Sequence, residues 1–173
     1  MIYWINGAYG VGKSTLAEFL NAKNPKSFIF DAEAVGNAVR DNLPRELFKG
    51  YIFEEYDMWF TLIVKLLVEI TSKYDGDIYI PMTLVYPDSF SKIKIPLENK
   101  KISIKHILLV SDYPTIHNRI LNRGEEEDCW CIQNIDLCLE NQKEFTDVIR
   151  IESINKEVYE IALELEKLLV NKN

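Results

Sequence analysis

Eight residues near the start of the chain, Gly7-Ala8-Tyr9-Gly10-Val11-Gly12-Lys13-Ser14, match the pattern G-x-x-x-x-G-K-[ST]. No other feature restricts the fold as strongly, because the pattern works only directly after a strand and directly before a helix. Tyr3 to Asn6 reads as that strand and Lys13 to Ala22 as that helix. Glycines at 7, 10 and 12 let the backbone curl so that its N–H groups point at phosphate oxygens, and the start of the next helix adds partial positive charge. In such a loop Lys13 reaches the β- and γ-phosphates, and the Ser14 hydroxyl ligates Mg²⁺, which keeps most of its waters. Gly7, Ala8, Tyr9, Gly10, Val11, Gly12, Lys13, Ser14 and Thr15 are therefore expected to hold a nucleoside triphosphate, with Ser14 on the metal.

Five short runs of β-branched and aromatic residues alternate with longer segments of helical period, the signature of β-α-β units and a parallel sheet. The expected strands are Tyr3 to Asn6, Ser27 to Phe30, Asp77 to Ile80, Ser103 to Val110 and Asp147 to Ile151. The segment Glu54 to Lys73 carries Trp59, Phe60, Ile63, Val64, Leu67 and Ile70 at three-to-four spacing, so one face is buried. Asp112 to Asn122 and Trp130 to Asn141 read as helices separated by the acidic break Gly124 to Asp128. A last helix places Val158, Ile161, Ala162, Leu165, Leu168 and Leu169 on one face. The expected fold is a three-layer α/β/α sandwich around a five-stranded parallel sheet of order 2-3-1-4-5, formed by residues 1–173 as one domain.

The 173 residues are 47% hydrophobic, enough to enclose one core without disulfides or a structural metal. A net charge of -7 repels polyanions, which argues against DNA or RNA as the main partner. The N-terminus lacks a basic stretch followed by a long apolar run, and Met58 to Ile70 is interrupted by Lys65 and Glu69. Neither an export signal nor a transmembrane segment is expected, which points to the cytoplasm. Cys129, Cys131 and Cys138 suit reduced thiols there, since a metal site would need His106 or His117 from outside the cluster. Homo-oligomer formation is left open.

A regulatory GTPase would add D-x-x-G and N-K-x-D, and neither pattern occurs. The size, the short strands and a late arginine-bearing helix resemble the nucleoside-monophosphate-kinase-like small-molecule kinases. Trp4-Ile5-Asn6-Gly7-Ala8-Tyr9-Gly10, Asp31-x-Glu33-x-x-Gly36 with Arg40 and Pro44, and Trp59 resemble the TmrB-like tunicamycin-resistance ATP-binding family. So do Ile80-Pro81-Met82-Thr83, Arg119-x-x-x-Arg123, and Trp130 through Ile135-Asp136-x-Cys138 to Phe145, so the resemblance covers nearly the whole chain. A departure is Gly124, where the arginine would otherwise run straight into an acidic residue. The resemblance implies ATP- and Mg²⁺-dependent phosphoryl transfer to a hydroxyl of a small-molecule acceptor, such as a nucleoside antibiotic. The alternative is ATP-linked sequestration of the compound without chemistry.

Several residues then take expected roles. Asp31 follows the second strand at the carboxyl edge of the sheet, where it orients the acceptor hydroxyl and takes its proton, or holds a Mg²⁺ water; it also stands where a helix N-cap would. Arg40, on the next helix, meets an anionic substrate group or a surface salt bridge. Arg119 and Arg123 share a helix face and suit a transferring phosphoryl group or a solvated face, within a lid of about residues 117–131. Thr83 stands where many such proteins carry an acid, and its hydroxyl serves the metal's water, the γ-phosphate or a turn. Trp59, with Tyr56 and Trp130, lines a substrate pocket or belongs to the core. His106 and His117 receive no role.

Overall fold

In a computed structural model, which describes residues 1–47 and 49–170, the five strands are β1 Ile2–Asn6, β2 Ser27–Ile29, β3 Asp77–Pro81, β4 Ile104–Val110 and β5 Ile149–Glu152. They form one all-parallel sheet of order β2-β3-β1-β4-β5. The helices are α1 Lys13–Lys23, α2 Ala32–Asp41, α3 Asp57–Thr71, α4 Ser89–Glu98, α5 Tyr113–Leu121, α6 Trp130–Gln133, α7 Ile135–Asn141 and α8 Val158–Val170. Single 3-10 turns, Arg45–Leu47 and Phe53–Glu55, lie between α2 and α3.

Because the sheet is parallel, both its faces must be covered, and alternate residues of each strand enter different cores. Ile2, Trp4, Ile78, Ile80 and Leu108 pack under α2, α3 and α4 with Val39, Trp59, Ile63, Phe90, Ile93 and Leu97. Ile5, Tyr79, Ile107, Leu109 and Ile151 pack on the other face under α1 and α8 with Leu16, Leu20, Ile161 and Leu165. A third cluster joins Ala8 and Val85 to Ile116, Ile120, Ile132, Ile135 and Cys138, fastening α5, α6 and α7 over the carboxyl edge of the sheet. None of the helices among the described residues is long and apolar enough to cross a membrane.

The sheet matches the sequence expectation in strand number and order, with edges shifted by one or two residues. Two helical features differ. α4 escapes the sequence reading because Pro96 lies inside it; the proline removes one N–H yet sits in the final turn, where little helix remains to break. The single helix expected over Trp130 to Asn141 divides at Asn134, whose backbone leaves the helical region (φ -107°, ψ 6°) and whose side-chain amide donates to the Trp130 carbonyl at 2.8 Å.

β1 is the central strand, paired with β3 on one side and β4 on the other. The loop leaving it therefore emerges at the middle of the carboxyl edge, where open α/β sheets bind ligands. Gly7 begins that loop at φ 140°, and a Cβ there would stand 2.5 Å from the Leu109 carbonyl oxygen on β4. Backbone cannot yield as a flexible side chain does, so Gly7→Ala is expected to displace the loop at a cost of about 1–3 kcal/mol. A lowered unfolding midpoint by circular dichroism, with loss of affinity for an ATP analogue by calorimetry, would record this. An unchanged affinity would show that the loop tolerates the shift.

Candidate functional site

α1 starts without a side-chain cap. Its N-cap is Gly12 at φ 108°, no side-chain hydrogen bond caps it, and its first turn holds no acidic residue. The first N–H groups of the helix are thus left to a ligand, as an anion-binding terminus requires. Tyr9 to Thr15 line a cleft of about 550 Å³. Ser14 and Thr15 are exposed at the mouth of the helix, while Lys13 is 8% exposed. The Lys13 ammonium donates to the carbonyls of Gly7 and Ala8 at 3.1 and 3.0 Å and lies 5.6 Å from the centre of the Tyr9 ring. Burial pushes its pKa down to about 8.

The far wall of this cleft comes from α5 and from the start of α8. Arg119 lines the cleft but is already engaged by protein: it donates to the Val11 carbonyl at 3.1 Å and to the Ser153 carbonyl and hydroxyl at 2.8 and 3.2 Å. It thereby ties the phosphate loop to the connection after β5. Arg123 lines the same cleft and makes a long contact, 3.6 Å, to Glu125. Within the segment 117–131 the His117 imidazole and the Glu127 carboxylate meet at 2.7 Å, joining α5 to the acidic turn beyond it.

A second cleft, of about 510 Å³, adjoins the first. Tyr9, Glu33 and Cys131 line both. The rest of the second cleft includes three aromatic rings: Tyr51 and Phe53 on the excursion between α2 and α3, and Trp130 at the start of α6, which meets Tyr9 edge-on at 4.9 Å. Gly36 permits this arrangement, because any Cβ there would lie 2.4 Å from the Phe53 ring packed against α2. Arg40 lines the same cleft between Tyr51 and Phe53, 5.4 Å from each ring centre, and donates to Asn37 at 2.6 Å.

Asp31 is exposed and caps α2, accepting from the Ala34 N–H at 2.9 Å, while Glu33 in the first turn of α2 lines both clefts. Thr83 borders the second cleft at 2% exposure, and its hydroxyl donates to the Gly7 carbonyl at 3.0 Å. The expectation that Trp59 reaches a substrate is corrected: it is fully buried beneath Trp4 and donates to the Ala32 carbonyl at 3.0 Å, so the helical spacing marked core. Tyr56 is likewise buried, its hydroxyl donating to the Gly50 carbonyl at 2.9 Å.

Sequence reasoning gave no role to Glu33, Glu54 or Asn6. The first stands two residues after Asp31, and this acidic pair at a strand-to-helix junction was the available signal. Asn6 is wholly buried at the end of β1; a polar residue closing an apolar strand, inside the Trp4 to Gly10 segment of the resemblance, was its mark.

The residues at the site fit Mg²⁺ as an ion shared with phosphates. No cluster of three or more His, Cys, Asp or Glu residues suited to a metal occurs among the described residues. The exposed Ser14 hydroxyl at the helix mouth fits an ion that takes few protein ligands.

No protein-family model matches the chain, and no curated protein matches it. Solved structures do. The chain superposes on the Deinococcus radiodurans tunicamycin resistance protein with a TM-score of 0.79 at 23% identity, covering 97% of this chain and 94% of that one. A gluconokinase from Sinorhizobium meliloti gives a TM-score of 0.67 at 15% identity over 98% and 93% of the two chains. A Mycobacterium tuberculosis APS kinase gives 0.63 at 13% identity over 97% and 96%. At these identities the likeness establishes the fold, the three-layer α/β/α P-loop fold that these proteins share, and leaves the chemistry to the site.

Proposed function

We propose that this protein is an ATP- and Mg²⁺-dependent phosphotransferase that modifies a hydroxyl of a small molecule in the cytoplasm, a nucleoside antibiotic such as tunicamycin being the acceptor to try first. The observation that carries the reading is the pair of clefts meeting at Tyr9, Glu33 and Cys131, one built around a phosphate-binding loop and the other lined in part by Tyr51, Phe53 and Trp130. Two substrates seated there would present their reacting atoms to each other across that shared wall, which is the main thing phosphoryl transfer needs. The likeness to the tunicamycin resistance protein supports the choice of acceptor.

In this reading the acceptor oxygen forms a bond to the γ-phosphorus as the bond to the bridging oxygen of ADP breaks, and the acceptor proton passes to the Glu33 carboxylate. Lys13 and Arg123 neutralise charge on the transferring group. Arg119 holds the nucleotide wall in place through Val11 and Ser153. Ser14 would hold Mg²⁺, Asp31 would hold one of its waters, and the ion would supply positive charge against that of the phosphates. Arg40, Thr83 and the aromatic rings shape the acceptor cleft, and residues 117–131 close over the nucleotide as a lid.

One observation favours the alternative of ATP-linked sequestration. The end of β3 supplies no carboxylate, and the Thr83 hydroxyl is engaged with the Gly7 carbonyl. Mass spectrometry of tunicamycin after incubation with the protein, ATP and Mg²⁺ separates the two. The kinase reading expects a compound heavier by one phosphate; unmodified compound that is nonetheless retained by the ATP-loaded protein would establish sequestration instead.

A further inference from the structure

Residues 82–86, which leave the end of β3, are held from both sides. On the phosphate-loop side the Trp4 indole donates to the Met82 carbonyl at 3.1 Å, and the Thr83 hydroxyl donates to the Gly7 carbonyl at 3.0 Å. Asn6 Oδ1 accepts two N–H groups, those of Gly7 and Leu84, each at 2.7 Å. The Asn6 amide is itself oriented by His106, whose Nε2 lies 3.2 Å from Nδ2. Burial pushes the His106 pKa down to about 3, so the ring is neutral, and with Nε2 unprotonated it accepts from the amide. The Gly7 peptide and the strap at 83 and 84 are thus one hydrogen-bonded unit.

On the acceptor side Glu54 holds the strap. Glu54 Oε1 accepts from the Val85 N–H at 2.5 Å and Oε2 from the Tyr86 N–H at 3.2 Å. Glu54 is 6% exposed and lines the second cleft beside Tyr51 and Phe53. An ionised carboxylate taken out of water is a costly way to satisfy two N–H groups. Its retention there calls for a benefit other than packing.

We propose that Glu54 is a positioning residue that couples the two clefts: its carboxylate fastens residues 83–86 to the acceptor side while Asn6 and Thr83 fasten them to the phosphate loop. This rests on the reading of the first cleft as the nucleotide site. A ligand in the second cleft that orders the Glu54 excursion also orders Gly7, and by linkage nucleotide binding favours the acceptor by the same factor.

The test is the affinity for Mg²⁺ and the unhydrolysable ATP analogue AMP-PNP, measured by calorimetry from pH 5 to pH 8, for the native protein and Glu54→Gln. Glutamine offers one acceptor oxygen where the strap presents two N–H donors, so the variant is expected to bind about five- to tenfold more weakly at pH 8. Burial raises the Glu54 pKa from 4.5 to about 6, against the bonds from Ser89, Val85 and Tyr86 and the charge of Lys92; Tyr86 faces it from its own strap, and Tyr9 and Cys138 from the phosphate loop and α7. Native affinity should therefore fall as pH drops through about 6 and the carboxyl loses acceptor capacity. The variant lacks that step, and ionisation of AMP-PNP cancels in the ratio of the two proteins.

The stability sign runs the other way. A carboxyl whose pKa is raised on folding contributes stability that is present below pH 4.5 and lost as pH rises through about 6. Removing the charge relieves that cost, so the variant has no reason to melt far below the native protein at pH 8. Should it melt lower, the step in the native protein still decides. Equal affinities at every pH would overturn the coupling and leave the nucleotide site standing; a native protein that binds no AMP-PNP would overturn both.

Discussion

Lys13→Ala is expected to lower the rate of phosphoryl transfer by about 10²–10³-fold or more, the loss associated with removing one preorganised donor to the transition-state charge. The ammonium is already directed at the loop interior, bonded to Gly7 and Ala8 rather than to solvent or to a carboxylate. Phosphate oxygens would replace two carbonyl oxygens with stronger, charged acceptors. Because burial lowers the Lys13 pKa to about 8, the ligand-free loop carries its charge below that pH and loses it above. AMP-PNP affinity of the native protein should therefore decline as pH rises past about 8, and that of the variant should stay flat there. Folding follows the same sign. A lysine whose pKa is depressed in the folded state destabilises it while charged, and stability rises with pH between about 8 and 10.5. The variant should hence fold normally while failing to transfer. Transfer within tenfold of native would remove Lys13 from the reaction.

The features legible in the sequence are those written contiguously. The loop from Gly7 to Thr15 is a local pattern, and the five strands declare themselves through runs such as Ile104 to Val110, so the sheet and its order could be drawn without coordinates. The second cleft could not. Its lining comes from residue 9, residues 33, 40 and 51–54, residues 82–83 and residues 130–131, which the packing of α2, α6 and the excursion between α2 and α3 brings together. Residue type also fails to say which partner a donor finds. Thr83 and Arg119 read as groups for phosphate or metal, yet the carbonyls of Gly7, Val11 and Ser153 engage them. Both are consequently better understood as braces of the loop, and their substitution should disturb the nucleotide wall before it disturbs chemistry. Trp59 illustrates the converse: a 3.6-residue period identifies a buried face without saying whether it is buried by protein or by ligand.

Glu33→Gln should reduce the turnover number by about 10²–10⁴-fold, the usual worth of a positioned general base, with little change in nucleotide affinity. The choice between the two acids that open α2 depends on what each carboxylate already does. Asp31 spends an oxygen on the Ala34 N–H as the helix cap, whereas Glu33 lines both clefts at their junction. Asparagine is as good an N-cap as aspartate, so Asp31→Asn keeps α2 intact and removes only the charge. The two variants can thus be compared on an unperturbed helix. If Glu33 takes the proton, its variant loses turnover at saturating Mg²⁺, while Asp31→Asn chiefly raises the Mg²⁺ concentration needed for half-maximal rate. A larger turnover loss in Asp31→Asn, undiminished by added Mg²⁺, would transfer the base to Asp31 and leave Glu33 as a wall of the acceptor cleft. Equal and small losses in both would mean that neither carboxylate is needed to remove the proton, as expected of a loose transition state in which the attacking oxygen is deprotonated late.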